Sequence, residues 1–251
     1  MMDGRTVGRT VGRTVGRLTQ FGAALVVPGL LSIGPTVRPC GAQVGHDPAG
    51  SPYRDVRRGA GLQLIGGYLG GDRGRADVGL AEIQTILARY ELVLGGPTRL
   101  AAEVGYGRGN RFVQDPADSA ASRRTGPVDD DVFFVGGALQ LVLTGAKTWR
   151  GFAPYVGGAA GLALGAGEPE DPAGYQFGTK FTVAPLAGVR WYPAPRLHVS
   201  GEIRLQFWKL SYPTRYQVPG PDGSAILPPS QDALSEWVSG PWYRVGLGWT
   251  F

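Results

Sequence analysis

Apolar and polar side chains alternate along most of the chain beyond residue 58, most regularly at its end. In "PWYRVGLGWTF", Tyr243, Val245, Leu247, Trp249 and Phe251 fall on one side, and Trp242, Arg244, Gly246, Gly248 and Thr250 on the other. A period of two marks a strand with two unlike faces. Eight such runs can be drawn, near 59–70, 83–94, 99–108, 132–144, 152–165, 181–192, 197–210 and 242–251. Most span ten to fourteen residues, longer than the five or six usual in a soluble sheet.

The connections alternate as regularly as the side chains. Three are tight, "GGPT" at 95–98, "GAKTWRG" at 145–151 and "PAPR" at 193–196. The other four, near 71–82, 109–131, 166–180 and 211–240, are longer. An up-and-down antiparallel sheet then carries every tight turn at one end and every long loop at the other, the asymmetry of an outer-membrane barrel. A soluble eight-stranded barrel of the lipocalin kind shares the strand count, so the faces must separate the two. A soluble barrel hides its apolar face, whereas a membrane barrel turns it outward and fills a narrow interior with polar or small groups. In the seventh run Val199, Gly201, Ile203, Leu205 and Phe207 oppose His198, Ser200, Glu202, Arg204 and Gln206. In the third, Leu100, Ala102, Val104 and Tyr106 oppose Arg99, Ala101, Glu103, Gly105 and Gly107. Single charges of both signs among glycines suit a cramped lumen. The predicted lumen set is Arg89, Glu91, Arg99, Glu103, Arg190, Glu202, Arg204 and Arg244, expected to form a cross-lumen ion-pair network because buried charges need partners.

Aromatic residues fit the same frame. Trp149, Trp191, Tyr192, Trp249 and Phe251 are expected to form a girdle at the tight-turn end, with Tyr68, Tyr106, Phe133, Phe207 and Tyr212 nearer the other rim. Pro154 and Pro185 sit inside predicted strands, where each removes a ladder donor, so a bulge or a later strand start is expected there.

The N-terminus changes the charge balance. GRTVGRTVGRTVGR at 4–17 is followed by an apolar stretch at 18–33 and by small residues at Cys40 and Ala42. A basic head, a short apolar middle and a small-x-small end describe a secretory signal peptide at 1–42, cleaved near Ala42. A lead-in at 43–57 and a barrel at 58–251 follow. The signal removes five Arg and one Asp from totals of 25 basic and 20 acidic residues, leaving 20 and 19. The basic pI of 9.5 thus belongs mainly to the export segment, and a nucleic-acid partner loses its support. The single cysteine, Cys40, leaves with the signal; as a lipidated first residue it would follow Arg38 and Pro39, poor company for that processing. The mature chain then has no disulfide or cysteine metal site, and with His46 and His198 as its histidines no histidine-rich metal site; no cofactor is expected.

Read as polar, x, Gly, x, x, aromatic, x, aromatic, the final octet places Arg244, Gly246, Trp249 and Phe251 at the marked positions. It resembles the C-terminal β-signal of bacterial outer-membrane proteins. "FAPYVGGAAGLALGAG" at 152–167 and "VAPLAGVRWY" at 183–192 resemble strands of the small OmpA/OmpX-type barrel superfamily, over roughly residues 58 to 251. The resemblance implies an all-β, eight-stranded antiparallel up-and-down transmembrane β-barrel in the bacterial outer membrane, exported by a Sec-type signal and monomeric. It also implies outer-membrane lipid and lipopolysaccharide as surroundings and the β-barrel assembly machinery as a partner during insertion. Barrels of this kind serve as anchors, adhesins, narrow channels and occasionally enzymes.

The expected role is non-enzymatic, a structural or surface-interaction barrel with its long loops extracellular. A narrow solute channel is the alternative, and an interior just wide enough for side chains disfavours a wide pore. "LHVSGEIR" places His198 and Ser200 together on one face, and a His-x-Ser pair resembles the catalytic strand of PagL-type lipid A deacylases. Gly201 replaces that motif's asparagine, no separate acidic partner is apparent, and His198 falls at the tight-turn end, so a polar lumen lining is the plainer reading. "GYGRGN" at 105–110 is a strand exit by pattern, lacking the helix that a nucleotide loop needs. The acidic runs at 129–131 and 168–171 are expected to be solvated loop charge, without the spacing of a calcium loop. The last loop, 213–240 with Tyr212 at its base, is rich in proline, carries Tyr216 and Trp237, and is the expected contact surface for an extracellular partner.

Overall fold

The computed structural model describes residues 50–56, 59–165 and 171–251. The proposed signal peptide with Cys40, most of the lead-in with His46, and residues 168–170 of the second acidic run lie outside the described residues.

Ten strands form one antiparallel sheet: β1 (Tyr53–Asp55), β2 (Gly61–Leu69), β3 (Ala81–Gly95), β4 (Thr98–Gln114), β5 (Arg124–Val142), β6 (Lys147–Trp149), β7 (Phe152–Gly165), β8 (Thr179–Trp191), β9 (Leu197–Ser211) and β10 (Ser235–Thr250). Eight of them close a ring in the order β2, β3, β4, β5, β7, β8, β9, β10. β10 pairs back onto β2 from Trp242↔Leu69 to Thr250↔Gly61, and the Phe251 amide donates to the Ala60 carbonyl at 2.9 Å. Closure leaves the ring without an unpaired edge, the condition for a sheet whose backbone must be satisfied away from water. The two short strands stand outside the ring: β1 pairs with β6, from Tyr53↔Trp149 to Asp55↔Lys147, under the tight-turn end.

The faces are distributed as the alternation requires. Val245 is 65% exposed, Leu64 60% and Val104 56%, whereas the inward Arg89, Arg190 and Arg244 are at most 2% exposed. Apolar groups outside and charges inside invert the soluble arrangement and match a wall that faces hydrocarbon. Trp149, Phe152, Trp191, Trp249 and Phe251 are exposed around the tight-turn end, with the Phe152 and Trp191 rings stacked at 6.4 Å.

Several expectations need correction. The strands run further toward the long-loop end than the pattern indicates, so the third connection shrinks to 115–123 and the last to 212–234. Residues 105–110 are not a strand exit but the middle of β4. Gly105, Gly107 and Gly109 face inward there, and a methyl group on Gly107 would come within 2.7 Å of Ile83 and 3.1 Å of Phe134. These glycines erase the alternation while making room for side chains from neighbouring strands. Pro154 and Pro185 cause neither a bulge nor a late start: Phe152↔Trp191 through Leu164↔Thr179 is one unbroken register. The β8–β9 pairing merely lapses between Val183↔Phe207 and Leu186↔Arg204, beside the missing N–H of Pro185. The real shifts lie between Ala81 and Gln84, Val93 and Gly95, and Arg111 and Val113.

Candidate functional site

Side chains fill the lumen in two tiers. In the tight-turn tier Glu202 and Glu103 sit among three guanidiniums. Arg89 reaches Glu103 at 2.7 Å and Glu202 at 2.9 Å; Arg204 reaches Glu202 at 2.7 Å and Glu103 at 2.6 Å; Arg244 reaches both at 3.1–3.2 Å. Below this cluster Glu91 meets Arg190 at 2.7 Å, Arg89 at 3.4 Å and Arg99 at 3.6 Å. The structure thus brings all eight lumen residues named above into one connected set. Neutral groups complete it: Tyr155 donates to Glu202 at 2.9 Å, Gln63 bridges Arg89 and Ser200, and Gln140 accepts from Arg190. These three are missing from the charge-based set, although each lies at an inward-facing position. Each carboxylate is forked by several guanidiniums, the geometry that holds buried charge most securely.

His198 and Ser200 lie side by side on β9 but are not linked. The Ser200 hydroxyl accepts from Gln63, and neither His198 ring nitrogen has a hydrogen-bond partner among the described residues. Its ring leans on Tyr192 at 5.3 Å, so Tyr192 turns inward rather than joining the girdle. A nucleophilic serine needs the imidazole in hydrogen-bond reach. Among the described residues no group of three or more His, Cys, Asp or Glu is placed to hold a metal ion.

The long-loop tier is an apolar plug. Leu69, Val78, Leu80, Ile83, Phe134, Phe177, Trp208, Leu227 and Trp242 pack in it with Tyr175, Tyr212 and Tyr216, whose rings lie 6.1–6.5 Å apart. Tyr212 and Tyr216 are therefore inside rather than displayed, since the last loop folds back into the barrel mouth. Tyr212 donates to Glu236. Burial, then that hydrogen bond, holds its hydroxyl well above the usual tyrosine range; burial and the nearby Asp171 do the same for Tyr216. Trp237 belongs to β10 and stands exposed on its outer face, not in the loop. The acidic runs are not simply solvated either. Asp130 and Asp171 are buried and share Arg111 at 2.9 Å each, while Asp129 pairs with Arg108 at 3.0 Å and Asp131 accepts from Tyr106 at 2.6 Å.

What the long-loop end does display is a proline platform. Pro116, Ala117, Pro172, Val218, Pro219 and Pro221 line a cleft of about 630 Å3 with Asp115 and Arg215 at its edges. Its two main segments are tied together by Asp222, which accepts from the Ala120 amide at 2.7 Å and from the Ser224 amide at 3.0 Å. Those donors, the Ala120 amide foremost, hold its carboxyl below the usual range. The tie was not visible in the sequence, because its partners are about a hundred residues apart.

The ring and its filling can be set beside solved structures. The outer membrane protein OprG from Pseudomonas aeruginosa superposes with a TM-score of 0.51 at 11% identity, covering 78% of this chain and 98% of that one. The fold is that of the small outer-membrane β-barrels. Neisserial surface protein A gives 0.45 at 13% identity over 80% of this chain and 98% of its own, and Ail of Yersinia pestis 0.37 at 13% over 78% and 100%. No protein-family model and no curated protein matches the sequence. At such identities the likeness concerns the barrel's fold, and its role has to be argued from its own residues.

Proposed function

We propose that this barrel is a non-enzymatic surface-interaction protein of the bacterial outer membrane, anchored by its wall and presenting the proline platform to the exterior. The observation that carries the reading is the filled lumen. Ion pairs occupy the tight-turn half, folded-in loops occupy the other, and the cavity between Glu103, Arg204 and Trp242 holds about 30 Å3, room for a few waters at most. A solute path needs a continuous opening, and an eight-stranded ring has no width to spare once its side chains are in place.

The platform supports an interaction role because its apolar surface is clipped in position before any partner arrives, which lowers the ordering cost of binding. The pair His198 and Ser200 lacks the hydrogen bond and the orienting acid of a hydrolytic site, which favours a lining role for both. Planar-bilayer recording on the refolded barrel tests the reading. Baseline current at 1 M salt is the expected result; resolved, reproducible steps would replace it with the narrow channel.

A further inference from the structure

We propose that the tight-turn end of the lumen is an anion site, built by Arg190, Arg99 and His198 and occupied by a small inorganic anion of the chloride class. The first observation is a charge imbalance. The lumen ion-pair network contains five arginines, at 89, 99, 190, 204 and 244, against three glutamates, at 91, 103 and 202, an excess of two positive charges among the described residues. At its lower end one carboxylate, Glu91, serves three guanidiniums.

The second observation shows where the compensation is missing. Arg190 is fully buried and spends Nη2 on Glu91 and Gln140, leaving Nε and Nη1 without a partner among the described residues. Tyr155 covers the guanidinium face at 4.2 Å, so its free donors are directed along the edge. On the same side of the lumen His198 is 1% exposed, with both ring nitrogens unpartnered among the described residues. Guanidinium nitrogens can only donate, and a neutral imidazole offers a further donor, so the partner that fits is an acceptor, and the excess of two positive charges favours one that is negative. Leaving such a cation buried and uncompensated is costly, which gives an anion its driving force.

Arg99, the least buried member of the set, donates to the Tyr192 hydroxyl at 3.3 Å. Tyr192 in turn walls a cavity of about 130 Å3 with Arg54, Asp55, Thr148 and Pro193, beneath the β1 and β6 pair. This site is independent of what the platform binds.

The test is chlorine NMR on the full chain refolded in detergent, titrating chloride at constant ionic strength against gluconate. Saturable line broadening that bromide displaces is expected. Arg190→Gln should weaken it by a factor of about ten or more, and Arg108→Gln, on the outer surface, should leave it unchanged. Gln140→Glu supplies the missing carboxylate beside Arg190 and should abolish the effect; it carries the test alone if Arg190→Gln does not fold. Broadening that does not saturate, or that persists equally in Arg190→Gln or Gln140→Glu, would overturn the proposal.

Discussion

Single residues in this barrel differ in weight according to how their charges are compensated. Glu202 accepts from Arg89, Arg204, Arg244 and Tyr155, so Glu202→Ala leaves three buried guanidiniums crowded on Glu103. A loss of about 3–5 kcal/mol is expected, as when one member of a buried ion cluster is removed. Asp129→Ala breaks a pair whose side chains are both more than half exposed and should cost about 0–1 kcal/mol. Equilibrium urea unfolding from lipid vesicles measures both. Equal costs would mean that water reaches the lumen cluster and screens it. At this scale the sequence was readable wherever inward positions carried charge. Tyr155, Gln63 and Gln140 escaped because a neutral side chain at an inward position says nothing of whether it completes a network. Arg111 escaped for another reason: the shift between Arg111 and Val113 breaks the alternation just where the arginine turns in to meet Asp130.

Among the elements, the ring strands were legible and their outer extensions were not. A strand in hydrocarbon must alternate strictly, while above the membrane the same strand can carry glycine, proline and acidic residues and still pair. β4 and β5 do so, from Arg108↔Asp131 to Gln114↔Arg124. The tip of that hairpin closes on itself through bonds such as the Asp115 amide to the Arg123 carbonyl at 2.8 Å, and Asp222 clips it to the last loop. Because its carboxyl is held below the usual range, the clip contributes fully above the unfolded aspartate pKa of about 3.9 and fades as pH falls through the lower folded value. Asp222→Ala should therefore speed hydrogen exchange at the Ala120 and Ser224 amides while leaving Gly137, deep in the wall, protected. Acidification of the wild type below the carboxylate range should reproduce the change. If both amides stay protected in the variant, the platform is braced elsewhere and its preorganisation does not depend on this clip.

For the whole molecule the decisive choice is which solvent the outer face meets, and one pair of substitutions makes that choice directly. On β10 the outward side chains from Tyr243 to Phe251 span nine residues, which suits the nine to eleven of a tilted membrane strand. Leu247 falls at the middle of that span and Trp237 lies well above it, next to Lys209 of β9. In hydrocarbon the cost of a charge depends on depth, about 2–4 kcal/mol for arginine at the midplane and about 0–1 near the interface. Leu247→Arg should therefore destabilise the barrel by the larger amount and Trp237→Arg by the smaller, measured as unfolding free energies in vesicles. In water the order would vanish, since both positions are more than half exposed and an arginine at either would be well solvated. The depth gradient is thus a property of the lipid, not of the fold, and no rearrangement of side chains within a soluble barrel would reproduce it.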